Sequence, residues 1–162
     1  MVSHRPTELL SVAREIAATI PDFQTVRGPG AGDHATQAFM RLLRDRAAIR
    51  FDQDLSEKKL CGQTALAVDF YFPEEATIVE VALGLPNPAS EYEKDILKAL
   101  MAQELGCDVR CLFFISRAGA GKKCSQPGRT AVREWATTRH GLHIEVHELG
   151  GEPRQRQRRP RD

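Results

Sequence analysis

The sequence predicts a mixed α/β domain, with a β-hairpin and a strand–helix–strand unit sharing one sheet flanked by helices. Three observations lead there. Residues 66–83 hold two short apolar, β-branched and aromatic runs separated by Pro73-Glu74-Glu75, the pattern of a hairpin. Residues 109–115 form one strongly apolar run, suited to a central strand, with helical periodicity before and after it. The segment Leu142-His143-Ile144-Glu145-Val146-His147 then alternates apolar and polar, giving a last strand with one wet face. At 162 residues, 41% hydrophobic and 28% charged, the chain has the size and composition of one domain with its own core.

Taken in order, residues 7–20 predict a helix. Thr7 is placed as its cap, Leu9, Leu10, Ala13, Ile16 and Ala17 fall at three- and four-residue spacing, and Pro21 ends it. A glycine- and proline-punctuated loop runs through Arg27 to Gly32. Asp33 is placed to cap a second helix to about Ala48, with Ala35, Phe39, Leu42, Leu43 and Ala47 lining one side. Residues 49–55 alternate and predict a half-exposed strand, and residues 56–63 a polar connection to the hairpin. After the hairpin, Gly84-Leu85-Pro86-Asn87-Pro88 breaks the sheet. Ser90-Glu91-Tyr92-Glu93 is a capping box. The helix it starts runs to about Leu105, with Ile96, Leu97, Leu100 and Met101 as the packing side, and Gly106 ends it. Residues 116–128 read as a Gly-rich basic loop. A helix over 129–140 follows, with Val132, Trp135 and Ala136 inward and Gly141 closing it. The domain spans residues 1–150. Residues 151–162 hold five Arg and nothing apolar, which predicts a disordered tail.

Composition narrows the function classes. No apolar run approaches the length of a membrane span. The start, Met1-Val2-Ser3-His4-Arg5-Pro6, lacks the apolar core of a secretory signal, so a cytoplasmic location is the default expectation. Four unevenly spaced cysteines do not make a disulfide framework. The net charge of +1 conceals an uneven distribution. The tail is positive and the body slightly negative, so any anion-binding surface is local.

The chemistry concentrates in the hairpin. With the turn centred between Glu74 and Glu75, Phe72 pairs with Thr77, Phe70 with Val79, and Asp69 with Glu80. Asp69, Tyr71, Ile78, Glu80 and Ala82 then share one face. Opposed carboxylates inside apolar strands destabilise a sheet unless a metal ion, a cation or a raised pKa compensates.

An Asp on one strand and a Glu on the next, followed by a helix and a strand, resembles the PD-(D/E)XK nuclease superfamily over about residues 33–149. The resemblance implies a restriction-endonuclease-like fold, with Asp69 and Glu80 as ligands of Mg²⁺ or Mn²⁺ and a phosphodiester substrate. The family's lysine position is Ala82, which supplies neither charge nor proton. Some members place the lysine on the following helix, where Lys94 and Lys98 lie four residues apart. Lys94, in the first turn, is nearer the end where the hairpin exits. The plain alternative is a solvated helix face on which Glu91, Asp95, Lys94 and Lys98 form exposed pairs.

Arg117, Lys122, Lys123 and Arg129, in and after the Gly-rich loop, are candidates to meet nucleic-acid phosphates. The loop is not a P-loop, since Ser116 stands where the first Gly belongs and Lys123 follows Lys122. Cys107, Cys111 and Cys124 with His140, His143 or His147 form only a weak zinc pattern. The functional expectation is a metal-dependent nuclease with an incomplete site, or a non-catalytic nucleic-acid-binding or protein-interaction module on the same scaffold. Similar folds commonly form homodimers, although no residue here specifies one.

Overall fold

The computed structural model describes residues 4–21, 23, 31–62, 66–86 and 91–150, with residues 31–33 as backbone only. The Ser90 cap, residues 24–30 and the Arg-rich tail lie outside the described residues.

Five strands form one mixed sheet in the order β1-β2-β3-β4-β5. β1 (Ser56–Lys58), β2 (Val68–Phe72) and β3 (Thr77–Val81) are antiparallel, whereas β4 (Cys111–Ser116) and β5 (His143–Glu148) continue parallel to β3. Parallel neighbours require crossover connections. These are α3 (Glu91–Glu104) between β3 and β4, then α4 (Ala120–Cys124) and α5 (Pro127–His140) between β4 and β5. α1 (Arg5–Thr19) and α2 (Ala31–Phe51) precede the sheet.

The helices sandwich the sheet in two cores. Phe70, Phe72, Val79, Phe113 and Ile115 pack with the buried residues of α1 and α2. Ile78, Ala82, Leu112, Phe114 and Ile144 pack with those of α3, α4 and α5. Among the described residues no helix is long and apolar enough to cross a membrane.

The hairpin register is as expected, with Phe70 opposite Val79 and Phe72 opposite Thr77 around a four-residue loop at 73–76. Several element boundaries differ. α1 starts two residues before Thr7, because Pro6 suits the first turn and His4 stands extended ahead of it. Asp33 falls inside α2, which begins at Ala31. The strand expected at 49–55 is instead the last turn of α2 and its exit. Phe51 closes the four-residue series Phe39, Leu43, Ala47 and packs edge-on against Phe72 at 5.4 Å, while Ile49 is 83% exposed. Apolar alternation at 49–55 is thus a by-product of a helix end.

The strand before the hairpin lies a few residues later, at β1, where Asp54 accepts the Ser56 amide and hydroxyl. Within the expected loop at 116–128, residues 120–124 are helical. The packing side of α3 is Tyr92, Asp95, Ile96, Lys98, Ala99 and Ala102, not Leu97 and Met101, which are exposed. On α5 only Ala136 is buried, and Trp135 lies outside against His140.

Candidate functional site

β2 and β3 bring two acids together where the hairpin opens. One residue beyond the Phe70–Val79 pair, Asp69 faces Glu80. The Asp69 amide donates to Glu80 Oε2 at 3.3 Å, and the Val81 amide donates to Asp69 Oδ2 at 2.8 Å. Glu80 lies between Ile78 and Ala82 in the strand alternation, so it points to the core that α3 covers. The site therefore sits by the carboxyl ends of the parallel strands, where open α/β sheets place their ligand crevices.

α3 supplies the cation. Lys98 Nζ is 2.6 Å from Glu80 Oε1 and 3.1 Å from Asp95 Oδ1, and it donates to the Ala67 carbonyl at 3.0 Å. Glu80, Asp95 and Lys98 are 3%, 7% and 6% exposed, while Asp69 is half-buried and more open to solvent. Glu80 Oε1 has no hydrogen bond of good geometry among the described residues, so the Lys98 contact holds it through charge.

These placements carry a large electrostatic imbalance. Three carboxyl groups, those of Asp69, Glu80 and Asp95, share one ammonium. Burial first, and then the charges of Asp69 and Asp95, push Glu80 up to about 9 against the pull of Lys98. Burial pushes Asp95 up to about 6, again opposed by Lys98. Burial also works to lower Lys98, but Glu80 and then Asp95 outweigh it and leave the ammonium raised. The cluster thus retains a proton at neutral pH, or exchanges it for another cation.

Of the candidate residues, Asp69, Glu80 and Lys98 are brought together. Lys94 is exposed and takes no part in the cluster. The expectation of exposed helix pairs fails for Asp95 and Lys98, which are buried against the sheet. Asp95 is the site residue that sequence reasoning missed. Its only signal was the three-residue spacing to Lys98, which surface pairs share.

The loop cations divide. Arg117 donates from Nε to the Phe23 carbonyl at 2.9 Å and covers the Phe23 ring at 4.8 Å, and burial lowers its pKa. Arg129 donates to the Leu85 carbonyl at 3.2 Å, lies 3.6 Å from Glu93 and covers Tyr92. Both are engaged in packing. Lys122 is exposed and Lys123 half-buried. Lys122 and Arg14 line a cleft of about 620 Å³ beside Gly119, Gly121 and Glu148. None of the acid-cluster residues lines this cleft. Glu148 Oε1 there accepts the Gly119 and Gly121 amides at 2.8 and 3.0 Å.

Among the described residues no group of three or more His, Cys, Asp or Glu side chains is placed to hold a metal ion. Asp69 and Glu80 still suit a cation bound by one or two carboxylates with water completing its shell, the manner of Mg²⁺. Glu80 Oε1 already faces the Lys98 ammonium, so what suits a further cation is the surplus of three carboxyl groups over one ammonium. No family model, curated protein or solved structure matches the chain.

Proposed function

We propose that this protein is a Mg²⁺- or Mn²⁺-dependent nuclease with a restriction-endonuclease-like fold. In this reading Asp69 and Glu80 hold the ion, and Lys98 takes the part that an in-strand lysine at position 82 would have played. One observation carries it: Lys98 Nζ lies 2.6 Å from Glu80 Oε1, on the sheet face that Asp69 shares. The helix lysine therefore reaches the acids from outside the strand. The sheet order, with an antiparallel hairpin followed by a parallel strand across a helix, supports the fold assignment.

The bound ion would supply charge neutralisation at the phosphate and a water of lowered pKa. Asp69 and Glu80 orient that end of the site, each fixed by a backbone amide. Lys98 places a positive charge beside them in a water-poor setting, where it stabilises developing negative charge more strongly than at a surface. Lys122, exposed in the cleft beside β5, is suited to a phosphate of the bound strand, while Arg14 there donates to the Glu148 carbonyl.

The test is a cleavage assay on single- and double-stranded DNA and on RNA with Mg²⁺ or Mn²⁺, comparing wild type with Asp69→Asn and Lys98→Met. Cleavage by wild type and a loss of at least ~100-fold in each variant supports the assignment. Equal cleavage by all three defeats it. The burial of Glu80 and Lys98 favours one second reading, a nucleic-acid-binding module without catalysis, which the same assay meets as binding without cleavage.

A further inference from the structure

We infer that Asp95 is the positioning residue that keeps Lys98 in place when Glu80 turns its charge to a divalent ion. The inference rests on the nuclease reading and deepens it. An ammonium has three N–H donors. Here three oxygens surround Lys98 Nζ, those of Glu80 at 2.6 Å, Ala67 at 3.0 Å and Asp95 at 3.1 Å. The Ala67 carbonyl holds the lysine by a hydrogen bond, and the two carboxylates hold it through charge.

Were Glu80 to give its charge to a divalent ion, Lys98 would lose that hold on the side where Glu80 and Asp69 meet. Two anchors then remain. The Ala67 carbonyl fixes one direction, which is not enough to orient a flexible four-carbon stem. Asp95 fixes the second. It lies one turn earlier on the same helix, is 7% exposed, and holds its carboxylate where α3 meets the sheet. The ammonium would thereby stay beside the acids and not turn to solvent.

The test combines nitrogen NMR of the lysine ammonium with kinetics, on the full chain. In wild type the Lys98 Nζ signal should be resolved and slow to exchange, both without metal and in saturating Mg²⁺. In Asp95→Ala it should persist without metal, held by Glu80, and disappear on adding Mg²⁺. Asp95→Asn keeps an acceptor and should retain it under both conditions. In turnover, Asp95→Ala should lower kcat by about 100-fold with KM and the Mg²⁺ midpoint within twofold, and Asp95→Asn should restore most of it. Asp95→Ser replaces the alanine variant should that one not fold.

A signal that survives Mg²⁺ in Asp95→Ala, or one indifferent to Mg²⁺ in every variant, overturns the inference while leaving any observed cleavage standing. Absence of cleavage by wild type with the NMR pattern as described overturns the nuclease reading and leaves the positioning of Lys98 by Asp95 intact.

Discussion

Lys98 Nζ lies 2.6 Å from Glu80 Oε1, joining the middle of α3 to the end of β3 through two side chains that are each more than nine-tenths buried. Neither charge is at home there without the other. A buried pair of this kind is weak evidence for net stability, yet losing one partner is severe because the survivor is left uncompensated.

Lys98→Met should therefore lower stability, by about 3–5 kcal/mol where the carboxyls are ionised and by less where they take up protons in place of the ammonium. The Lys98→Met/Glu80→Gln double variant should recover much of that loss, giving a strong coupling in a double-mutant cycle by urea denaturation. Lys94→Met, on the exposed side of the same helix, should stay within about 0.5 kcal/mol of wild type. Additive losses at Lys98 and Glu80 would contradict the pairing.

The raised carboxyls set the pH dependence of the metal-free protein. Glu80, up to about 9 in the fold, binds its proton more tightly folded than unfolded. Its stabilising contribution is complete below its ordinary value and is lost as pH rises toward 9. Asp95, up to about 6, adds the same sign lower down. Lys98 is raised, so its contribution is constant until strongly alkaline pH. Tm in EDTA should fall from pH 5.5 to 8.5, and Glu80→Gln should flatten that slope. Added Mg²⁺ or Mn²⁺ should raise Tm more at pH 8.5, because the ion competes with the bound proton.

Arg5 grips Glu75 with two bonds of 2.8 Å, fastening α1 to the β2–β3 turn. The Arg5 hydrogen bond holds Glu75 below its ordinary carboxyl value, so this contribution is present above that value and is lost as pH falls. Arg5→Met should cost about 1.5–3 kcal/mol at pH 7 and remove part of the loss of stability below pH 4.5, read from urea midpoints between pH 3 and 7.

The four loop cations should separate by experiment. On the proposed nuclease reading, Lys122→Ala/Lys123→Ala should leave Tm within a degree or so, weaken oligonucleotide binding and reduce the salt slope by about one to two charges. Arg117→Ala and Arg129→Ala should instead lower Tm, since each loses a carbonyl bond and an aromatic contact. Equal losses of binding at unchanged Tm for all four would place all of them on the proposed nucleic-acid surface.

The hairpin was legible because a period of two, a polar turn and two misplaced acids all agreed on one register. The face of α3 was not. Leu97 and Met101 have the composition of a packing side, and only the position of Glu80 on the neighbouring strand explains why Asp95 and Lys98 turn inward instead. Local periodicity cannot express that preference, because the buried acid and its cation are 18 residues apart. The end of α2 departs from its local pattern for a related reason: Ile49, Phe51 and Leu55 alternate, but Phe51 is placed by the Phe72 ring rather than by a strand partner. The division among the loop cations was likewise invisible, since Phe23 and Tyr92 lie far from Arg117 and Arg129 in sequence.

The crossed amide bonds of Asp69 and Glu80 bear on how any mutant of this protein is to be interpreted. Each acid also clasps the mouth of the hairpin, Asp69 through the Val81 amide and Glu80 through the Asp69 amide. Alanine at either position unfastens two strands as it removes a charge, so an inactive alanine mutant would confuse a lost ligand with a frayed sheet. Asparagine and glutamine preserve the clasp and abolish only the negative charge, which makes them the alleles from which chemistry can be deduced.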